Sequence, residues 1–177
     1  MSHPSLDRII GSSPISHRTF DIHYASGAFA FPSYSLLSII NPHLHQRLDI
    51  TISQHFREIS ALSFSPDENQ IAIGESGANA FLYLLTFNNS FTKIISKRII
   101  PTKENGFSCL AFNSKMNRLI SIGADEQPFL ILWDLSHDHP IKLGYYRLTS
   151  RPNEVIFNSN CSLAVVAGKA LLKLVQT

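Results

Sequence analysis

Apolar and polar positions alternate along this chain in short runs, separated by clusters of Gly, Pro, Asn, Asp and Ser. That is the signature of half-buried β-strands joined by tight turns. Strands are predicted at residues 6–10, ended by Gly11-Ser12-Ser13-Pro14, and at 20–24, followed by the turn Ala25-Ser26-Gly27. The next is 28–31, which Pro32 should stop because proline cannot donate to a ladder. Residues 34–40 return, Asn41-Pro42 turns, and 43–53 places Leu48, Ile50 and Ile52 on one face. Residues 59–64 open a clearer unit. Ser65-Pro66-Asp67-Glu68-Asn69 is its first turn, Ile71-Ala72-Ile73 a short buried strand, and residues 74–79, starting Gly74-Glu75-Ser76-Gly77, a reversal. Residues 81–85 come back, and 91–100 form an outer strand carrying Lys93, Lys97 and Arg98, charges that discourage edge pairing. No segment has a capped 3.6-residue periodicity, so no long helix is expected.

The unit repeats. Residues 59–65 align without a gap on 107–113, Asn69 on Asn117, Ile71 on Leu119, Phe81 on Phe129, Leu84 on Leu132 and Leu85 on Trp133, an offset of 48. A third copy runs from Glu154 to Val175, and a worn first copy covers residues 20–42. The Trp133 slot holds Ile40, Leu85 and Val175 in the other copies, all apolar. A period of this size with several short strands per unit marks propeller blades. The fold class is therefore all-β: a partial, open propeller of three to four blades in one domain, at about 6–53, 54–100, 106–147 and 151–177. Phe64, Phe112, Trp133, Asp134 and Phe157 are its structural markers. So few blades cannot close a ring, so the chain reads as a fragment of a seven-bladed propeller, a truncated product, or a part completed by other blades.

Composition narrows the function. Apolar residues make up 44% and charged ones 16%, enough for a core and against disorder. A net charge of +2 gives no electrostatic case for nucleic acid or an anionic membrane. No apolar run reaches membrane-spanning length, and residues 1–10 show no secretory core, so a cytoplasmic location is expected. Cys109 and Cys161 then read as small buried fillers in a reducing compartment.

Phe64-Ser65-Pro66-Asp67 and Leu132-Trp133-Asp134-Leu135 resemble WD repeats. The order of Leu6-Asp7-Arg8-Ile9-Ile10-Gly11, Ala30-Phe31-Pro32, Gly74-Glu75-Ser76-Gly77 and Cys109-Leu110-Ala111-Phe112, then Phe157, Cys161-Ser162 and Ala167-Gly168, is similar to the N-terminal propeller of the mitogen-activated protein kinase-binding protein 1 family, which includes a spindle-pole WD-repeat scaffold. The resemblance implies a scaffold without enzymatic activity or cofactor. Its partners would be proteins of stress-activated kinase pathways, and its location the cytoplasm, centrosome or spindle pole. Microtubule-associated WD-repeat proteins of the echinoderm or ciliary type share the layout and are the alternative. Many WD blades also carry a hydrogen-bonded set of His, Ser, Asp and Trp. Here Trp133 is the only tryptophan and no Gly-His pair precedes a repeat, so blades held by apolar packing are expected.

Catalytic and metal motifs are weak. His43-Leu44-His45 and His137-Asp138-His139 have strand spacing for a shared ligand but lie beside Pro42 and Pro140, and read as solvated turn residues. There is no nucleophile elbow and no phosphate-cradling loop. The basic run of Lys93, Lys97, Arg98 and Lys103 reads as an amphipathic outer strand. Ser13-Pro14 and Ser65-Pro66 match a proline-directed kinase target, with Ser13 the more accessible. Propeller topology gathers the loops between blades and the reversals within them on one face. That face would present His55, Phe56, Arg57, Asn79, Lys103, Glu104, Asp125, Glu126, Gln127, Arg151 and Asn153, mixed in sign and suited to a polar protein contact.

Overall fold

The computed structural model describes residues 19–53, 55–66, 69–113, 117–158, 162–168 and 171–176. Among these the secondary structure is fifteen strands and no helix. The first antiparallel sheet, blade 1, runs β1 (Asp21–His23), β2 (Ala28–Ser33), β3 (Leu36–Asn41) and β4 (Gln46–Thr51). Blade 2 is β5 (Ile59–Phe64), β6 (Gln70–Glu75), β7 (Phe81–Phe87) and β8 (Ile94–Pro101). Blade 3 is β9 (Phe107–Asn113), β10 (Arg118–Gly123), β11 (Phe129–Asp134) and β12 (Ile141–Arg147). Blade 4 has three strands, β13 (Glu154–Phe157), β14 (Leu163–Gly168) and β15 (Leu171–Gln176). Each sheet is a simple meander, and blades meet in chain order, with β5 between β1 and β9 and β9 packing on β13. This is the open, partial propeller that the repeat implies.

Period-2 alternation explains why the blades need one another. In blade 2, Leu62, Phe64, Ile71, Ile73, Tyr83 and Leu85 face blade 1 and join Ala28, Ala30, Leu37 and Ile39. Ala61, Ala72, Leu82 and Leu84 face the other way, against Phe107, Leu110, Phe112, Leu119 and Trp133 of blade 3. Bulky residues on one flank thus meet small ones on the next, which lets the layers interdigitate. Cys109, Ala111, Ile120 and Ile122 continue the stack onto Val155, Ala164 and Val166, with Phe157 partly buried beside them. Polar stitches cross the same seams: the Phe64 amide donates to Asp21 Oδ2 at 2.7 Å, and the Phe107 amide to Ser60 Oγ at 3.2 Å. Gly74 is required at one seam, because a Cβ there would lie 2.6 Å from the Phe107 ring. The faces turned away from the stack leave Phe20, Ile22, Ile156, Leu172 and Leu174 exposed.

Several boundaries differ from expectation. Pro32 does not stop β2, which continues to Ser33. Among the described residues the β1–β2 pairing ends at Asp21–Ala30, before Pro32, so its missing N–H breaks no bond of that ladder. Gly74 and Glu75 belong to β6 rather than to the reversal, which starts at Ser76. Phe91 is not in the outer strand. It sits in the preceding turn at φ 56°, buried against Phe64 and Phe87, and β8 starts at Ile94. The basic side chains of β8 stitch loops together: Lys97 Nζ donates to the Ile52 carbonyl at 2.8 Å, and Arg98 to those of Leu135 and His137 at 3.1 and 2.9 Å. Cys109 is buried as a filler. Cys161, the strand predicted at 6–10, and Ser13 lie outside the described residues.

Candidate interaction face

The loops predicted to share a face do so, and backbone hydrogen bonds interlock them. The Ile59 amide donates to the Tyr34 carbonyl at 2.9 Å, and the Ser76 amide to that of Glu58 at 2.8 Å. Ala80 donates to Glu104 at 2.9 Å, Ala124 to Gly106 at 3.0 Å, and Leu148 to Pro128 at 2.9 Å. The segments 34–35, 52–53, 55–58, 76–80, 102–106, 124–128 and 148–153 thereby line one shared rim. His55, Phe56, Asn79, Lys103, Asp125, Glu126, Gln127, Arg151 and Asn153 are exposed along it. Phe56 is 66% exposed and, like Asn79, held at positive φ, 51° and 53°. A non-glycine residue in that region stores strain, which is most often kept at functional loops.

Two of the predicted rim residues are not free contact groups. Arg57 lies over the rim but is tied inward. Its Nη1 donates to Glu75 Oε1 at 3.1 Å and to the Ala78 and Asn79 carbonyls at 2.9 and 3.3 Å. The Glu75 side chain is 1% exposed and that of Arg57 31%. Glu75 Oε1 also accepts from the Phe81 amide at 3.1 Å, and Oε2 from the Tyr83 hydroxyl at 2.9 Å. Burial pushes the Tyr83 phenol above its ordinary value, helped by Glu75 and opposed by a hydrogen bond with Ser53. Burial lowers Lys97 nearby, against the pull of Glu75. Next to this network a cavity of about 170 Å³ is lined by Ile52, His55, Phe81, Tyr83, Lys97 and Ile99.

Glu104 is the second exception, because it is 8% exposed rather than displayed on the rim. Its carboxylate comes from the loop between blades 2 and 3 and fills the space that a Cβ on Gly123 would occupy. Gly123 closes β10 opposite Phe107 just as Glu75 closes β6 opposite Ile59, so the two are the same repeat position. Each of these blades therefore holds a carboxylate in one place, delivered by the strand in blade 2 and by the loop in blade 3. Burial raises the Glu104 pKa, Asp125 adds to the rise, and Lys142 opposes it. A cleft of about 460 Å³ opens there, lined by Pro101, Thr102, Lys103, Glu104, Ile131, Trp133 and Lys142. Lys142 stands opposite Trp133, as Lys97 stands opposite Leu85, so this cleft is the counterpart of the smaller cavity.

Blade 3 also keeps hydrogen bonds beside the mainly apolar packing that was expected. Trp133 Nε1 donates to Ser121 Oγ at 2.8 Å, and Asn105 Nδ2 to Asp125 Oδ1 at 3.1 Å. Asp134 accepts from the Ser136 amide at 2.8 Å, which lowers its pKa and fastens the next turn. Ser121 and Asn105 were legible as candidates only through their spacing from Trp133 and Asp125. His43, His45, His137 and His139 are exposed, and among the described residues no group of three or more His, Cys, Asp or Glu side chains could hold a metal ion.

No protein-family model matches the chain. Its fold is similar to that of a chain in the crystal structure of the Mitotic Checkpoint Complex, with a TM-score of 0.73 at 11% identity over 99% of this chain and 55% of that one. It is also similar to Kuenenia stuttgartiensis Hydrazine Synthase, with a TM-score of 0.64 at 12% identity over 82% of this chain and 41% of that one. The chain thus spans about half the length of these structures. At such identity the likeness establishes the architecture, a partial β-propeller, and no activity, since one fold hosts many functions.

Proposed function

We propose that this chain is a non-enzymatic interaction module that binds other proteins through the interlocked rim. The observation that carries this reading is the rim itself: reversals of blades 1 to 3 and the connections between successive blades, mixed in charge, joined by backbone hydrogen bonds and led by the exposed, strained Phe56. Aromatic anchors inside a polar ring are how protein interfaces concentrate their binding energy. The resemblance to the kinase-binding WD-repeat family supports a finer reading, a scaffold of stress-activated kinase signalling or of centrosome and spindle-pole organisation, working in the cytoplasm or at those structures.

The test compares two variants. Phe56→Asp with Lys103→Glu alters the rim, while Asp138→Lys alters an exposed turn between β11 and β12. Binding to purified stress-activated kinases and centrosomal proteins should fall at least about tenfold in the rim variant and stay unchanged in the other. Equal binding by both variants overturns the rim. Co-sedimentation of the unaltered chain with microtubules, without kinase or centrosomal binding, replaces the signalling role by the microtubule-associated one.

A further inference from the structure

Of the two carboxylates that blades 2 and 3 hold in the same place, one is neutralised within the chain. Glu75 receives the guanidinium of Arg57, the Tyr83 hydroxyl and the Phe81 amide. The residue at the Arg57 position of blade 3 is Asn105, whose amide is turned to Asp125, and the one at the Tyr83 position is Ile131. Glu104 is 8% exposed against 0% for Glu75, and it lines the cleft; among the described residues no donor lies within hydrogen-bond distance of its carboxylate. Lys142 does not fill the gap, since its ammonium sits 4.1 Å from the centre of the Tyr145 ring, and Lys103 is exposed. A buried carboxylate without a partner is costly, and an incoming cation removes that cost. Blade 2 shows a cation that fits: the guanidinium of Arg57, whose Nη1 reaches a carboxylate oxygen and two carbonyls together.

We infer that the cleft of blade 3 receives an arginine side chain from a protein partner, whose guanidinium pairs with Glu104 as Arg57 pairs with Glu75. Ile131 and Trp133 line the cleft and give the arginine stem an apolar wall. The carbonyls of Glu126 and Gln127 occupy the repeat positions of the Ala78 and Asn79 acceptors. Asp125 adds negative charge felt at Glu104, against Lys142, while Lys103 also lines the cleft.

This rests on the interaction role proposed above for the existence of a partner, but its test reads the cleft alone. Trp133 is the chain's one tryptophan and lines the cleft, so its fluorescence reports occupancy. N-acetyl-arginine amide titrated into the full 177-residue chain should give a saturable change in roughly the millimolar range, as suits so small a ligand. N-acetyl-aspartate amide should give none. Glu104→Gln should weaken the arginine response about tenfold or more, because a charge-assisted contact is lost. Its fold is checked by circular dichroism and is expected to be intact, since the change removes an unpaired buried charge. Asn105→Arg supplies the missing guanidinium within the chain, and should raise the melting temperature and abolish the arginine response. The inference is overturned by no saturable response, by a response that Glu104→Gln leaves unchanged, by tighter binding of the aspartate probe, or by an Asn105→Arg chain that melts and responds like the original. Failure here leaves the rim comparison standing, and failure of the rim variant leaves the probe result standing.

Discussion

Blades 2 and 3 share a register, an offset and a shape, yet they are held together differently. Blade 2 is closed by charge: Glu75 at the end of β6 is clamped by Arg57 and Tyr83, and the Trp133 position is an apolar Leu85. Blade 3 is closed by an indole: Trp133 reaches Ser121, whose counterpart in blade 2 is Ile73. Its carboxylate arrives from the neighbouring loop and, among the described residues, meets no hydrogen-bond donor. One geometry thus tolerates two chemistries, provided that each seam fills its volume. The blade that leaves a buried group unpaired is the one with the larger cleft.

The largest effect should come from the indole. Trp133→Ala removes a 7% exposed side chain at the seam and leaves Ser121 without its donor, and should cost about 3–5 kcal/mol in urea denaturation. Leu85→Ala, at the same position of blade 2, should cost less because no hydrogen bond goes with it. Equal losses would erase the distinction between the blades. Arg57→Ala comes next. It strands the buried Glu75 charge, and allowing for the partial exposure of Arg57 the loss should be about 2–3 kcal/mol. Asn105→Ala in blade 3 removes only an exposed contact with Asp125 and should cost under about 1 kcal/mol by the same measurement. If the two losses match, Arg57 is not a clamp.

The smallest effect is one of pH. Burial and Asp125 raise the Glu104 pKa above its ordinary value of 4.5, so the folded chain holds this proton more tightly than the unfolded one. The associated stability is fully present below the unfolded carboxyl range and is lost as pH rises through the folded value. Glu104→Gln should remove this loss. Melting curves of the two proteins should converge in acid and separate toward neutral pH, with the variant the more stable. A variant less stable at neutral pH would mean that the Glu104 charge is already compensated.

Most of the architecture was legible in the chain, because alternation with period 2 and a repeat of 48 residues are local and cumulative: each strand states which side chains face which neighbour. The shared face of the loops followed from topology, and Phe64, Phe112 and Trp133 were found in the core by the same pattern. Errors fell where local rules meet tertiary context. Pro32 was tolerated because, among the described residues, the β1 ladder ends before it, and Phe91 left its strand to fill the seam around Phe64. Glu104 and Arg57 were read as surface groups because a charge in a loop usually is one.

The sequence by itself therefore determined the strands, the blades and the faces they bury. It did not determine where the charges end up. Alignment sets Glu75 against Gly123 and Glu104 against Phe56, so no register shows that two of these side chains reach one point. Only the folded chain decides that, because the position of a carboxylate depends on which stretch of backbone passes near the seam and on which atoms leave room for it. The space over Gly123 that Glu104 fills is left by packing between blades, and a linear reading cannot see it.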